Sequence, residues 1–67
     1  MNTHNYSLVG IDGNAYCIMA YVTRAMRQCG KTRAEQDAYL ADAQSSNYDH
    51  LVAVSMDMCE ELNNMEE

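Results

Sequence analysis

The spacing of apolar residues between positions 15 and 29 constrains the fold of this chain more than any other feature. They recur every three or four places, whereas a half-buried strand would show strict alternation. A glycine follows the last of them, and glycine is the favoured residue just beyond a helix C-terminus. The pattern predicts a helix over residues 14–29 with one apolar face. That face comprises Ala15, Ile18, Met19, Val22, Met26 and Cys29.

The residues before this helix, GIDGN at positions 10–14, raise an alternative. Asp-Gly between two apolar stretches is a strong signal for a β-hairpin turn. The helical spacing that follows favours a helix cap instead, in which Asp12 or Asn14 accepts hydrogen bonds from the unpaired N–H groups of the first turn. On this interpretation Gly13 supplies unusual backbone angles.

Two further helices are predicted downstream. Thr32 and Glu35 have the spacing of a capping box, which places a second helix over 33–44. Its inward face is expected to include Ala38, Tyr39, Ala41 and Leu40. A third helix over 47–62 is capped by Ser46 or Asn47, and residues 63–67 form a frayed acidic tail because their glutamates oppose the helix dipole. Its apolar face comprises Tyr48, Leu51, Val52, Ser55, Met58, Cys59 and Leu62.

Residues 1–11 are predicted to form an extended arm. Their segment YSLVGI is compatible with one short strand, but the rest of the chain offers no second strand to pair with it. The arm is therefore expected to lie across the helices. The sequence predicts an all-α fold, a small three-helix domain with an extended N-terminal arm, in a single domain spanning 1–67.

The predicted core is thin, because the 67-residue chain contains no Phe and no Trp. A core of this size seldom supplies more than about 3–5 kcal/mol of folding stability, and burial against a partner subunit can add to it. We expect a homo-oligomer, a dimer or larger, formed through Tyr16, Tyr21 and the methionine-bearing side of the first helix. The three cysteines show no CxxC pair and are expected to be reduced, buried thiols in a cytoplasmic protein.

Acidic residues dominate the charge, with ten acids against four bases and a formal net charge of −6. This balance argues against direct nucleic-acid binding, since phosphate contacts need Lys and Arg. No apolar run approaches the roughly 20 residues that a bilayer requires, so no membrane association is expected. The acids of the third helix, Asp57, Glu60 and Glu61, are the candidate partner-binding residues, and such a surface can imitate nucleic acid.

All four bases lie within ten residues, at Arg24, Arg27, Lys31 and Arg33. One interpretation is that they compensate a helix dipole and pair with neighbouring acids. The other is a ligand-binding site for a small anion, completed by Tyr48 and His50 at the start of the third helix.

Other combinations of residues do not support catalysis or metal binding. Asp12-x-Asn14 lacks the later ligands of a calcium loop. The cysteines and His50 have none of the spacings of a closed zinc site. The Asp49-His50 pair has no nucleophile at a recognisable spacing. We therefore expect no enzyme activity, no catalytic residues, no metal and no cofactor.

Several short motifs carry a resemblance to a protein family. The segments LVGIDGNAY and A-x-S-x-NYDHL resemble small phage and prophage proteins with a DGNAF…SGDYDHLL-like pattern, whose function is undefined. The resemblance spans most of residues 8–52. Tyr16 stands where Phe is commoner, and Ser46-Asn47 where Gly-Asp is commoner. The resemblance implies a virus-borne accessory protein in a bacterial cytoplasm, without catalytic residues.

Three functions follow as hypotheses. The leading one is a non-catalytic accessory protein that binds and blocks a host protein, such as a defence or regulatory factor, through its acidic helical surface. One alternative is an oligomeric sponge that sequesters a small anionic ligand such as a signalling nucleotide. The other is a structural or assembly accessory of a virus.

Overall fold

The computed structural model describes residues 5–65 and contains three α-helices. They are α1 (Ala15–Gln28), α2 (Arg33–Ala43) and α3 (Tyr48–Asn63), and no strand occurs among residues 5–65. The predicted all-α three-helix fold is confirmed. Of the predicted arm, residues 1–4 lie outside the described part, as do residues 66–67 of the predicted tail. Asn63, assigned to that tail, is instead the last residue of α3.

A turn over residues 8–11 leads into the GIDGN segment, which ends in a helix cap. The N–H of Ile11 donates to the carbonyl of Leu8 at 3.1 Å, and Gly10 has φ of 84°. A positive φ at the third position of such a turn strongly favours glycine. The expectation for Gly13 was wrong, since the glycines with positive φ among residues 5–65 are Gly10 and Gly30.

Asparagine side chains cap the first and third helices. The Asn14 side-chain oxygen accepts from the N–H of Tyr16 at 2.8 Å, and Asn47 accepts from the N–H of His50 at 2.9 Å. Asp12 instead accepts from the N–H of Asn14 at 2.9 Å, which orients the capping residue. At α2 the predicted capping box is present in both directions. Each cap satisfies donors that the first helical turn leaves unpaired.

The core lies where the three helices meet. Its most deeply buried side chains include Met26, Leu62 and Val22. The hydroxyl groups of Tyr39 on α2 and Ser55 on α3 lie 2.6 Å apart and form a buried hydrogen bond. This bond allows a serine to occupy a fully buried position, since each hydroxyl satisfies the other.

The inward face of α2 differs from the predicted one. Tyr39 is buried as expected, but Ala38 and Ala41 are exposed, while Gln36 and Ala43 are buried. The buried positions are spaced by three and four residues, as one helical face requires. Gln36 can take part because its amide donates to the carbonyl of Lys31 at 3.2 Å.

The three cysteines occupy different environments. Cys59 is buried as expected, Cys29 is half-buried, and Cys17 is exposed. The prediction of a buried thiol was therefore wrong for Cys17. Cys17 precedes the buried Ile18, and adjacent helical residues point about 100° apart, so Cys17 falls on the solvent side of α1.

Candidate functional site

A groove runs between the described part of the arm and the C-terminal half of α3. Its volume is about 540 Å³. We call it the arm–α3 groove. It is lined by Tyr6, Ser7, Leu8, Val9, Met56, Asp57, Cys59, Glu60, Asn63 and Asn64.

The wall formed by the arm is held in place by polar contacts. The side-chain oxygen of Asn63 accepts from the N–H of Tyr6 at 2.7 Å, and its amide nitrogen donates to the carbonyl of Tyr6 at 2.9 Å. The Tyr6 hydroxyl donates to the side-chain oxygen of Gln28 at 3.0 Å. The N–H of Ser7 donates to the hydroxyl of Tyr21 at 3.0 Å. The arm is thus fastened to both α1 and α3.

An aromatic contact supports the same attachment. The rings of Tyr6 and Tyr21 meet edge to face, with centroids 6.3 Å apart and planes at 78°. This is a favoured arrangement for aromatic pairs. Tyr21, expected at an interface between subunits, is partly covered by the arm of its own chain. Tyr16, the other residue expected there, is exposed.

Apolar side chains on both walls of the groove are open to solvent. On the arm, Val9 is 90% exposed, and on α3, Met56 is 57% exposed. Leu8 is half-buried against the core, and the buried Cys59 also lines the groove. Burial raises the pKa of the Cys59 thiol. A thiol with a raised pKa is a poor nucleophile at neutral pH, so Cys59 contributes apolar surface.

Two of the three predicted partner-binding acids line this groove. Asp57 and Glu60 are exposed, and within residues 5–65 neither forms an ion pair with a basic side chain. They lie three positions apart on α3, so their side chains share one face of the helix. The negative end of the α3 dipole lies beside them. The rim of the groove is therefore an acidic surface that no described side chain neutralises.

The third predicted acid, Glu61, is engaged elsewhere. Its carboxylate forms a short ion pair with the ammonium group of Lys31, which also lies 3.8 Å from the carboxylate of Glu35. The hydrogen bond to Glu61 raises the pKa of Lys31. The backbone N–H of Thr32 lowers the pKa of Glu35 through the capping box. Lys31 therefore joins α3 to the start of α2 and is not available to an added anion.

The predicted ligand-binding bases do not form one cluster. Arg33 pairs with Asp37, and the Arg33 Nε lies 3.3 Å from a carboxylate oxygen of Asp37. Arg27 and Arg33 share a hollow of about 480 Å³ between α1 and α2, which Thr23 also lines. Arg24 is exposed and does not line this hollow.

Tyr48 and His50 lie at the opposite end of α2 from these bases. The Tyr48 hydroxyl donates to the carbonyl of Gly13, which ties the start of α3 to the loop before α1. The 11 residues of α2 separate its two ends by about 16 Å at 1.5 Å per residue. The six predicted ligand-binding residues are therefore not brought together at one site.

His50 contacts both a hydroxyl and a carboxylate, the residue types of a hydrolytic triad. Its Nε2 lies 3.1 Å from the carboxylate of Asp42 and 3.4 Å from the hydroxyl of Ser45. A triad needs the acid on one ring nitrogen and the nucleophile on the other. Here both oxygens meet the same nitrogen, and the Ser45 hydroxyl already donates to the carbonyl of Asp42 at 2.6 Å. This arrangement does not activate Ser45.

Among residues 5–65, no three His, Cys, Asp or Glu side chains converge to hold a metal ion. None of the helices in the described part of the chain combines the length and apolar character needed to cross a bilayer.

Comparison with protein-family models, curated proteins and solved structures finds no match to this chain. The fold and the groove therefore define the chain only by its architecture, which is a three-helix domain with a docked N-terminal arm.

Proposed function

We propose that this chain is a non-catalytic protein that binds a partner protein through the arm–α3 groove. One observation carries the proposal. Exposed apolar side chains on both walls, Val9 and Met56, lie beside the carboxylates of Asp57 and Glu60, which have no counter-charge among residues 5–65. Apolar surface framed by polar groups is typical of sites that bind other proteins.

The chemistry of the groove favours a protein over a small anionic ligand. Among residues 5–65, no basic side chain lines it, and the two charged residues that do are acids. An anion would be repelled there, whereas a protein surface can supply apolar contacts and positive charge together. The resemblance to small phage proteins makes a host protein the expected partner, and occupying a surface of that protein would block it.

Photo-cross-linking in the natural host tests this proposal. A photoreactive aromatic residue at Met56 should give an adduct of defined mass with a host protein. The same residue at Ala41, exposed on α2, is the matched control and should not give that adduct. Combining the Met56 probe with Asp57→Asn and Glu60→Gln should reduce the yield. Equal adducts at positions 56 and 41, or none at either, would refute a role for the groove.

A second candidate function, sequestration of a small anion, draws on the hollow between α1 and α2. Two guanidinium groups, of Arg27 and Arg33, line it beside Thr23. Asp37 lines it as well and pairs with Arg33, so an added anion would compete with Asp37 for that guanidinium group. Guanidinium groups bind phosphate oxygens in a forked geometry. A ligand at about 100 times its Kd stabilises the folded state by about 2.7 kcal/mol. A cyclic dinucleotide should then raise the melting temperature of the wild type but not of Arg27→Ala.

A further inference from the structure

The charges around the arm–α3 groove specify what its occupant must carry. Of the four bases, Lys31 and Arg33 are paired with acids of their own chain. The other two, Arg24 and Arg27, are on α1 and do not line the groove. Within residues 5–65 the chain therefore has no cation that reaches the rim. A partner that neutralises the rim must bring Lys or Arg side chains itself.

The backbone of the arm constrains the shape of the occupant. The N–H groups of Tyr6, Ser7 and Val9 already donate to side chains of Asn63, Tyr21 and Ser7. The carbonyl of Tyr6 also accepts from Asn63. An added β-strand gains its affinity from main-chain hydrogen bonds to a free edge. The described part of the arm, residues 5–11, offers too few free groups for that, so the occupant has to bind through its side chains.

We propose that the groove takes an amphipathic basic helix of the partner protein, an inference that rests on the proposed function. The apolar side of such a helix would pack on Val9 and Met56. Lys or Arg side chains three or four positions apart would meet Asp57 and Glu60, which are themselves three positions apart on α3. Docking of an apolar helix face into a groove is a recurring mode of recognition. The spacing of the two acids would fix where along α3 the basic side chains of the partner helix bind.

Synthetic peptides test the occupant directly against the full chain. The first probe is a helical peptide of leucine and lysine, about 15 residues long so that it can form a helix. Three matched peptides vary one property each: a leucine–glutamate helix, a leucine–lysine peptide with scrambled spacing, and an alternating valine–lysine peptide that favours strands. Titration calorimetry should detect binding of the leucine–lysine helix, weakening as salt increases. The other three should bind at least tenfold more weakly.

Variants locate the binding on the chain. Asp57→Asn and Glu60→Gln should each weaken the leucine–lysine helix by about twofold to fivefold, as expected for a rim ion pair. Met56→Ser should weaken it roughly tenfold through lost apolar contact. Asp49→Asn removes one charge from the other end of α3 and is the matched control, with affinity unchanged. Tighter binding of the leucine–glutamate or valine–lysine peptide would overturn the inference, as would equal losses at positions 49 and 57.

Competition separates this inference from the proposed function. The leucine–lysine helix, added in excess, should abolish the host-protein adduct formed by the photoreactive residue at position 56. If that adduct forms and the peptide does not compete, the basic helix is refuted while the groove remains a protein-binding site. If no adduct depends on position 56, the proposed function itself fails.

Discussion

Replacing Asn63 by alanine removes the side chain that fastens the arm to α3. Its amide makes two hydrogen bonds to the backbone of Tyr6, at 2.7 and 2.9 Å. At about 0.5–1.5 kcal/mol net for each, their loss lowers the free energy of unfolding by roughly 1–3 kcal/mol. The higher helix propensity of alanine offsets about 0.5 kcal/mol of this. The net loss is about 0.5–2.5 kcal/mol, and for a domain of this size the melting temperature should fall by about 3–20 °C.

Thermal unfolding followed by circular dichroism measures this change. The neighbouring Asn64→Ala is the control, because Asn64 is exposed and caps α3 through its backbone N–H. Asn63→Asp tests the donor separately: it keeps an oxygen to accept from the N–H of Tyr6 but sets a second oxygen against the Tyr6 carbonyl. That variant should be at least as unstable as Asn63→Ala. If Asn63→Ala melts within about 2 °C of Asn64→Ala, with an unchanged NMR amide shift for Tyr6, the reasoning is refuted.

Three further predictions concern the core. Tyr39→Phe leaves the buried hydroxyl of Ser55 without its partner. It should lower the free energy of unfolding, measured with urea, by about 1–3 kcal/mol. The double variant with Ser55→Ala should regain part of this loss. Burial raises the pKa of both Tyr39 and Cys59. The unfolded chain therefore loses these protons first, and urea-unfolding stability should fall as pH rises above about 8.5; a flat alkaline profile would contradict this. Iodoacetamide should modify the exposed Cys17 well before the buried Cys59, as peptide mass mapping can show; equal rates in the folded state would refute the assigned burial.

The local signals in the sequence predict the helices well. The three-and-four spacing of apolar residues, the glycine at position 30 and the capping box at Thr32 and Glu35 all act within a few positions of one another. Each corresponds to a hydrogen bond or a buried face in the structure. Predictions from such patterns need no knowledge of what packs against the helix.

The inward faces were harder to predict where the pattern is weak. Alanine is compatible with either side of a helix, so Ala38 and Ala41 carried little information about the direction of the core. Gln36 can be buried because its amide donates to the carbonyl of Lys31 in the preceding loop, a contact that the sequence does not reveal. Cys17 was expected to be buried because it lies within the apolar run of the first helix, but its position in that run is on the solvent side of α1.

The arm–α3 groove could not be assembled from the sequence. Asp57 and Glu60 were identified by charge, but their neighbour Glu61 was not separable from them without knowing that Lys31 approaches it. Asn63 was assigned to a frayed tail, and its contact with Tyr6 joins residues 57 positions apart. A side chain that binds backbone so distant in sequence leaves no periodic signal. Val9 and Met56 are exposed, and residue type alone does not distinguish them from buried apolar residues.

The docking of the arm also determines when during synthesis the groove can form. Tyr6 leaves the ribosome early, but its partner Asn63 is 57 positions later. Tyr48, which holds the carbonyl of Gly13, is 35 positions beyond that glycine. Helices α1 and α2 form from local contacts, whereas the arm stays undocked until α3 has been translated, because non-local contacts form late. A partner would therefore meet a binding-competent groove only after α3 has been translated, and shorter translation products would not compete for it.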